Sequence, residues 1–561
     1  MKMKLTLDGI KDKKSWEAAG VVLPSYDIEK VKEETKEAWE KAGITLPGYD
    51  VEAVSEKAKK EPGWVHFGIG NIFRIFIGGI ADTLISNGAM DKGITCVETF
   101  DFDVVDKIYA PYDNLVLGVT LKADGSTDKK VIASLTEAIK AQSNVEAEWN
   151  RLKEIFQNKD LQMISFTITE KGYALKGADG TYFPFIQSDI DNGPEKAGSA
   201  MAVVCALLHE RFKAGKAPLA VVSMDNCSHN GEKLRNSILT MAEEWNKKGF
   251  VEDEFVAYIS DEAQVSFPWS MIDKITPRPA ESVCKSLEEL GIEDIAPVIT
   301  SKRTYIAPFV NAEGPQYLVI EDRFPNGRPA LEKAGVYMTD RDTVNKVERM
   351  KVTTCLNPLH TALATYGCVL GYTLIADEMK DEQLNKLVHE IGPVEGMPVV
   401  TDPGILSPAE FVDEVINTRI PNPFMPDTPQ RIATDTSQKL AIRFGETIKA
   451  YQRSEELSVS RLEKIPLVFA GWLRYLCGVN DKGEKFTLSS DPMLDTVCPY
   501  VAGLKWGDTE VHEQVVPILS NEKIFGVNLY EADLGELVEQ YFIEMLKGPG
   551  AVEATLRKYV L

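Results

Sequence analysis

Long apolar runs are missing from this chain: no stretch approaches the roughly 18 consecutive apolar residues that a membrane helix needs. Cysteine is sparse and dispersed. The eight residues (Cys96, Cys205, Cys227, Cys284, Cys355, Cys368, Cys477 and Cys498) form no C-x-x-C pair and no tight group with histidine, which argues against a cysteine-rich zinc site and for the reduced thiols of a cytoplasm. Positive charge is short as well. Sixty-two Lys and Arg face 85 Asp and Glu, a net charge of -23, and a surface of that sign repels nucleic acid phosphates and anionic lipid head groups. Neither is expected as a partner, although a local cationic pocket for a small anionic substrate remains compatible with the average. The opening MKMKLTLDGIKDKKSW lacks the apolar core of a signal peptide, so a cytoplasmic location is expected.

What is there has the composition of a globular protein, 44% hydrophobic and 26% charged over 561 residues, enough for two or more domains with sizeable cores. An internal echo comes first: AAGVVLPSYDIEKV (18–31) returns as KAGITLPGYDVEAV (41–54). In each copy a Leu-Pro turn leads to Asp27 or Asp50, a good N-cap for the charged helix that follows. Residues 1–60 read as an N-terminal extension that packs on the main body or on a partner subunit.

From residue 64 short apolar runs alternate with helical stretches. WVHFGI (64–69), ITCVE (94–98), LVLGVTL (115–121), MISFTIT (163–169) and LAVVSM (219–224) read as strands, while IADTLISNG, VIASLTEAIKAQ and GSAMAVVCALLHERFKAG carry helical spacing. This alternation predicts an α/β, Rossmann-type, doubly wound parallel sheet over 61–300. Residues 301–329, rich in Pro, Gly and aromatic side chains, read as a connection between domains, and the long amphipathic patterns beyond predict a mainly α-helical domain over 301–561.

FGIGNIFRIFIGG (67–79) follows a strand and opens a helix, with Gly68 and Gly70 where a tight turn brings backbone N–H groups to a pyrophosphate. The third glycine of G-x-G-x-x-G is replaced by Phe73, and a glycine turn after any strand looks similar. The second strand ends in ETFDFD, so that Glu98, Asp101 and Asp103 stand about 30 residues on, where an acid can accept hydrogen bonds from adenosine ribose and would repel a 2′-phosphate. NAD is therefore favoured over NADP, with a solvated acidic loop as the alternative.

Two polar constellations follow. VVSMDNCSHNGEKLR (221–235) ends a strand with Asp225, Asn226, His229 and Asn230, at the side of such a sheet where ligands bind; an Asx-type turn capping a helix fits equally. FPWSMIDKITP isolates Asp273 among apolar neighbours, although a lone acid before a lysine is usually a surface feature. In MKVTTCLNPLH (350–360), Asn357 and His360 share a helix face, while Lys351 is brought to them only by a break or bulge, for which Pro358 supplies a reason. Asn357 reads either as the N-cap of the next helix or as part of a proton-handling centre. In the second reading a desolvated lysine exchanges the hydroxyl proton when hydride leaves or joins the carbinol carbon, and Asn357 and His360 orient the oxygen.

The motifs FGIGNIFR, SFTITEKGY, SMDNCSHNG, FPWSMIDKITP, MKVTTCLNPLH and RIATDTSQK (431–439) occur in an order that resembles the polyol-specific long-chain dehydrogenases, the mannitol dehydrogenase family, over about residues 62–550. The resemblance implies a metal-independent, NAD-dependent oxidoreductase with a Rossmann-type domain and a helical domain. It assigns Lys351 as general acid/base, with Asn357 and His360 polarising the reacting oxygen. Asn226, Asp273, Arg431 and Lys439 fall on the substrate side, and Gly68, Gly70, Asn71, Arg74, Asp101, Asp103, Thr169 and Glu170 on the cofactor side. The spacing from Lys351 to Asn357 is one residue longer than in mannitol dehydrogenases and so requires a local bulge or a shifted helix start, and Phe73 stands where the family has a histidine. The implied reaction is reduction of a keto sugar acid, with D-fructuronate plus NADH to D-mannonate plus NAD first and tagaturonate reduction or mannitol 2-dehydrogenation as alternatives. A non-catalytic NAD- or sugar-binding regulator on the same fold is the reading from a different class.

Overall fold

The computed structural model describes residues 3–11, 15–16, 21–22, 44–45, 47–177 and 179–561. It divides into two compact units, Met1–Val344 and Asn345–Leu561. No helix among the described residues is long and apolar enough to cross a membrane.

In the first unit six strands form one all-parallel sheet, in spatial order Val265–Ser266, Leu219–Ser223, Met163–Phe166, Trp64–Phe67, Ile94–Glu98, Leu135–Lys140. Counted along the chain this is 6-5-4-1-2-3, the Rossmann order with its switch point between Trp64–Phe67 and Met163–Phe166. Successive side chains go to opposite faces. Val65, Phe67, Ile164, Phe166 and Val221 enter one core with Trp149 and Trp245, whereas Trp64, Cys96, Met163 and Val222 enter another with Phe73 and Ile80. A sheet covered on both faces needs strands that are apolar throughout, which is why these runs are continuous rather than alternating.

VIASLTEAIKAQ departs from its expected helix: it supplies the end of the strand Thr127–Ile132 and then the strand Leu135–Lys140. Its Ala, Glu and Lys favour a helix, but parallel pairing with Ile94–Glu98 overrides that local preference. Val116–Leu121 is a strand as expected, in a second sheet with Thr127–Ile132 and Phe309–Glu313. Residues 301–329 are likewise not a connection between domains. Phe309–Glu313 pairs parallel with Val116–Leu121, and Tyr317–Glu321 pairs antiparallel with Ser270–Asp273, which moves the division of the chain from the expected 300/301 to 344/345.

The two copies of the N-terminal echo supply Val21–Val22 and Ile44–Thr45, paired in parallel with each position opposite its own counterpart. Asp50 caps the helix Val51–Lys60 by accepting from the Ala53 N–H at 3.0 Å, whereas Asp27 lies outside the described residues. Tyr49 donates to buried Asp82 at 2.5 Å and Ser55 to the Thr136 carbonyl at 3.0 Å, which fasten this part of the extension to the first unit.

The second unit is helical. Its helices Asn357–Leu370 and Lys464–Leu476 cross where Gly471 lets the Tyr366 ring approach, since a Cβ there would lie 2.7 Å from the ring, and the Tyr366 hydroxyl donates to the Leu467 carbonyl at 2.6 Å. The buried Glu395 carboxylate accepts the backbone N–H groups of Glu463, Lys464 and Ile465 at the start of the second helix, satisfying donors that have no partner within the helix.

One buried side chain ties the sheet's loops together. Arg211 donates to five carbonyls, those of Phe156, Asn158, Leu161, Ala217 and Pro218, at 2.8–2.9 Å, closing the approaches to the strands Met163–Phe166 and Leu219–Ser223. Arg211→Met strips those carbonyls of partners and is expected to lower stability by about 3–5 kcal/mol, read from the urea midpoint; a loss under about 1 kcal/mol would mean that water replaces the guanidinium.

Candidate active site

The first unit builds its site at the switch point. Gly68 has φ +87°, and a Cβ on it would lie 2.3 Å from the Thr167 carbonyl oxygen, so glycine is demanded by the backbone. Gly70 differs: a Cβ there meets nothing within 4 Å, so its bareness leaves an open approach to the turn instead of relieving a clash.

The turn is anchored by a neutral relay that sequence reading passed over. The Trp64 indole donates to Ser165 Oγ at 2.7 Å, Ser165 bonds His66 Nδ1 at 2.6 Å, His66 Nε2 bonds Thr167 Oγ1 at 2.9 Å, and Thr167 donates to the Gly68 carbonyl at 2.8 Å. The Thr167 hydroxyl proton is committed to Gly68, so the imidazole carries its hydrogen on Nε2 and accepts at Nδ1 from Ser165. Burial holds His66 well below the usual histidine pKa, and Phe73, in the place of the missing glycine, stacks on it at 4.0 Å. A polar residue inside an apolar strand was the available signal.

The acids after the second strand are mostly engaged within the protein. Glu98 is buried and accepts from the N–H groups of Thr99, Phe100 and Asp101 at 2.9–3.2 Å and from Ile69 at 3.4 Å, which joins the acidic loop to the glycine turn, while burial raises its pKa. Asp101 is buried and accepts from Thr300 and Thr304 at 2.6 and 2.5 Å, and Asp103 pairs with Lys107 and accepts from the Ser301 N–H. Both therefore brace the 300–304 turn. Arg74 is fully buried, donating to the Pro308 carbonyl at 2.9 Å and to Asn71 at 3.4 Å.

On the other side of the switch point, Thr169 is exposed with φ +65°, an uncommon geometry for a β-branched residue. It is held by Asp225, which accepts from the Ile168 and Thr169 N–H groups at 2.8 and 2.9 Å and from the Tyr173 hydroxyl at 2.5 Å. Glu170 is exposed and paired with Lys233. Asn226 is exposed beside Asp225, Asn230 is buried in bonds to Ser223, Asp225 and Ser270, and buried Asp273 ends the strand Ser270–Asp273. The strain at Thr169 and the openness at Gly70 meet where open α/β sheets bind ligands.

The second unit gathers the remaining residues. Lys351 is buried and opens a π-helical turn, Lys351–Cys355, in which its carbonyl accepts the Leu356 N–H at 3.1 Å. Such a turn inserts one residue into a helix, the bulge that the Lys351-to-Asn357 spacing called for. The helix then breaks at Leu356 and restarts at Asn357, with Pro358 in the first turn. Leu356, not Asn357, stands at the cap position, so Asn357 and His360 occupy successive turns of one face.

Around His360 lie cations that sequence reading identified only in part. Burial, together with the charges of Arg419, Arg443 and Arg431, lowers the His360 pKa to about 4 against the opposing pull of Asp427. Arg431 forms a two-point ion pair with Asp427. Lys439 donates to the Ile432 and Thr434 carbonyls, and burial and neighbouring Arg443 lower its pKa. Arg419 and Arg443 went unnoticed. The signal for Arg443 was its place four residues after Lys439, one helical turn on.

Family models described as "Mannitol dehydrogenase Rossmann domain" and "Mannitol dehydrogenase C-terminal domain" match residues 62–333 and 343–545. The chain is 54% identical to D-mannonate oxidoreductase of Thermotoga maritima over 100% of its own length and 99% of the relative's. It is 31% identical to mannitol 2-dehydrogenase of Emericella nidulans, covering 90% and 94% of the two chains. Among solved structures it is similar to D-sorbitol dehydrogenase in substrate-free form (25% identity, 92% and 98% coverage, TM-score 0.76). It is also similar to Pseudomonas fluorescens mannitol 2-dehydrogenase in ternary complex with NAD and D-mannitol (26% identity, 93% and 98% coverage, TM-score 0.65).

Because the folded chain holds His360 near pKa 4 while the unfolded chain titrates near 6.5, only the unfolded state takes up this proton as pH falls from 7 toward 4. Stability contributed by neutral His360 is therefore complete above the unfolded value and lost toward acid. His360→Asn should flatten the fall in urea midpoint between pH 7 and pH 5; an unchanged slope would mean that the ring is protonated in the native protein.

Proposed function

Because the chain belongs to the mannitol dehydrogenase family, as matches to its Rossmann and C-terminal domain models establish, we propose that it is an NAD-dependent oxidoreductase that reduces D-fructuronate to D-mannonate. The observation that carries this reading is the 54% identity, over the whole chain, to a relative named D-mannonate oxidoreductase.

The switch point fits a dinucleotide. Gly70 leaves its turn open, Gly68 sets the turn's path, Thr169 lies across the switch point, and Glu98 is the acid bonded to the turn itself. An acid at that strand end suits a ribose hydroxyl and disfavours a 2′-phosphate, which supports NAD over NADP. Bound nicotinamide supplies or receives the hydride. The protein's task is the proton and the oxygen. Lys351, the general acid in the reductive direction, gives its ammonium proton to the oxygen of the reacting carbonyl and recovers it in the reverse reaction. Asn357 donates its amide N–H to the same oxygen, and His360, uncharged at neutral pH, donates one ring N–H without competing for the proton. Asn226 and Asp273, in the first unit, are assigned to substrate binding.

A second reading, mannitol 2-dehydrogenation, has in its favour the 31% identity to the Emericella nidulans enzyme over 90% of the chain. NADH oxidation with D-fructuronate, D-tagaturonate and D-fructose offered in parallel separates the two. Preference for fructuronate supports the first reading, and preference for fructose moves the protein to the polyol enzymes. Lys351→Ala should bind NADH normally, by fluorescence titration, yet turn over about 100- to 10,000-fold more slowly; unimpaired turnover would remove Lys351 from the acid/base role.

A further inference from the structure

We infer that Arg443 is the residue that recognises the carboxylate of the substrate and thereby selects a sugar acid over an uncharged ketose or polyol. The inference rests on the reading of the reaction given above and concerns the same site. Three cations lie along this part of the second unit, and two already have work within the protein. Arg431 closes a two-point pair with Asp427, and Lys439 is spent on the carbonyls of Ile432 and Thr434. Arg443, a turn beyond Lys439 in the π-helical turn Ala441–Gly445, is mostly enclosed, and no carboxylate pairs with it among the described residues. Among the described residues its one side-chain hydrogen bond runs from Nη1 to Thr361 Oγ1.

That bond fixes where the guanidinium stands. Thr361 follows His360 in the chain, and its own hydroxyl proton goes to the Asn357 carbonyl at 2.9 Å. The hydroxyl oxygen is thereby left to accept from Arg443, so the guanidinium is pinned to the helical turn that carries both Asn357 and His360. Arg443 is also among the charges that hold His360 uncharged, which places it within electrostatic reach of the ring. A guanidinium withdrawn from water without an anion is costly, and the cost is relieved when a carboxylate arrives to accept two parallel N–H bonds. An uncharged hydroxymethyl group at that end of a ketose offers no such relief, so the same residue that binds the acid penalises the polyol.

The test is steady-state NADH oxidation by the full-length wild type, Arg443→Gln and Arg443→Lys, each with D-fructuronate and with D-fructose, alongside NADH affinity by fluorescence. Arg443→Gln should raise the KM for fructuronate about 10- to 100-fold with kcat within about threefold, the worth of a hydrogen-bonded charge, and should lower the preference for acid over ketose by a similar factor. Arg443→Lys, which keeps the charge but loses the fork, should fall between the two and covers the case in which the glutamine variant does not fold. An unchanged KM in both variants overturns the inference, as does an equal rise for both substrates. If the wild type reduces fructuronate and the variants do so with wild-type KM, the reaction stands and Arg443 alone is discarded; if the wild type reduces only fructose, both readings fall.

Discussion

Burial of one imidazole among positive charges is the constraint on which the chemistry of the helical unit depends. Burial disfavours a proton on His360 most, and Arg419, Arg443 and Arg431 add to it against the pull of Asp427, itself engaged by Arg431. Something in such a cluster must give up its charge, and histidine does so most easily. The result is a neutral hydrogen-bonding ring in a basic setting, on a chain whose net charge is -23. A protein that repels anions over its surface as a whole can in this way draw one to a single place, since a field focused in a partly enclosed site is set by the groups lining it. Three of the basic residues concerned, Lys351, Arg419 and Arg443, sit on π-helical turns, which turn a side chain away from the face an uninterrupted α-helix would give it.

The first unit solves the opposite problem. Its turn must stay rigid and open without any charge of its own, and a chain of neutral bonds from Trp64 to the Gly68 carbonyl achieves this. Acids that looked available in the sequence serve the same rigidity: Glu98 gathers four backbone N–H groups, and Asp101 holds two threonines. Where carboxylates replace water as partners for loop backbone, the loop keeps its shape before any ligand arrives.

Much of this was legible in the residues. The apolar strands and the long helices announced a doubly wound sheet and a helical half, and the stretch from Lys351 to Pro358 announced a break or bulge, of which the chain shows both. Other features were hidden for physical reasons. VIASLTEAIKAQ carries helix-favouring residues and becomes a strand only because Ile94–Glu98 offers it a partner. The stretch 301–329 has the proline and glycine of a linker, yet its strands are bought by pairing with segments far away in sequence. His66 and Arg211 went unread because what gives them meaning is a set of partners that no local window contains.

The N-terminal echo has a further consequence. Val21 lies opposite Ile44 and Val22 opposite Thr45, so the offset between paired strands equals the length of one repeat. Sequence duplication and strand addition are here the same operation: copying the segment once supplies both a new strand and its register, because like positions meet. Among the described residues the outer copy is the last strand of its sheet, paired only with the inner copy. This border of the sheet is thus translational: the repeat length sets the register in which its two strands meet.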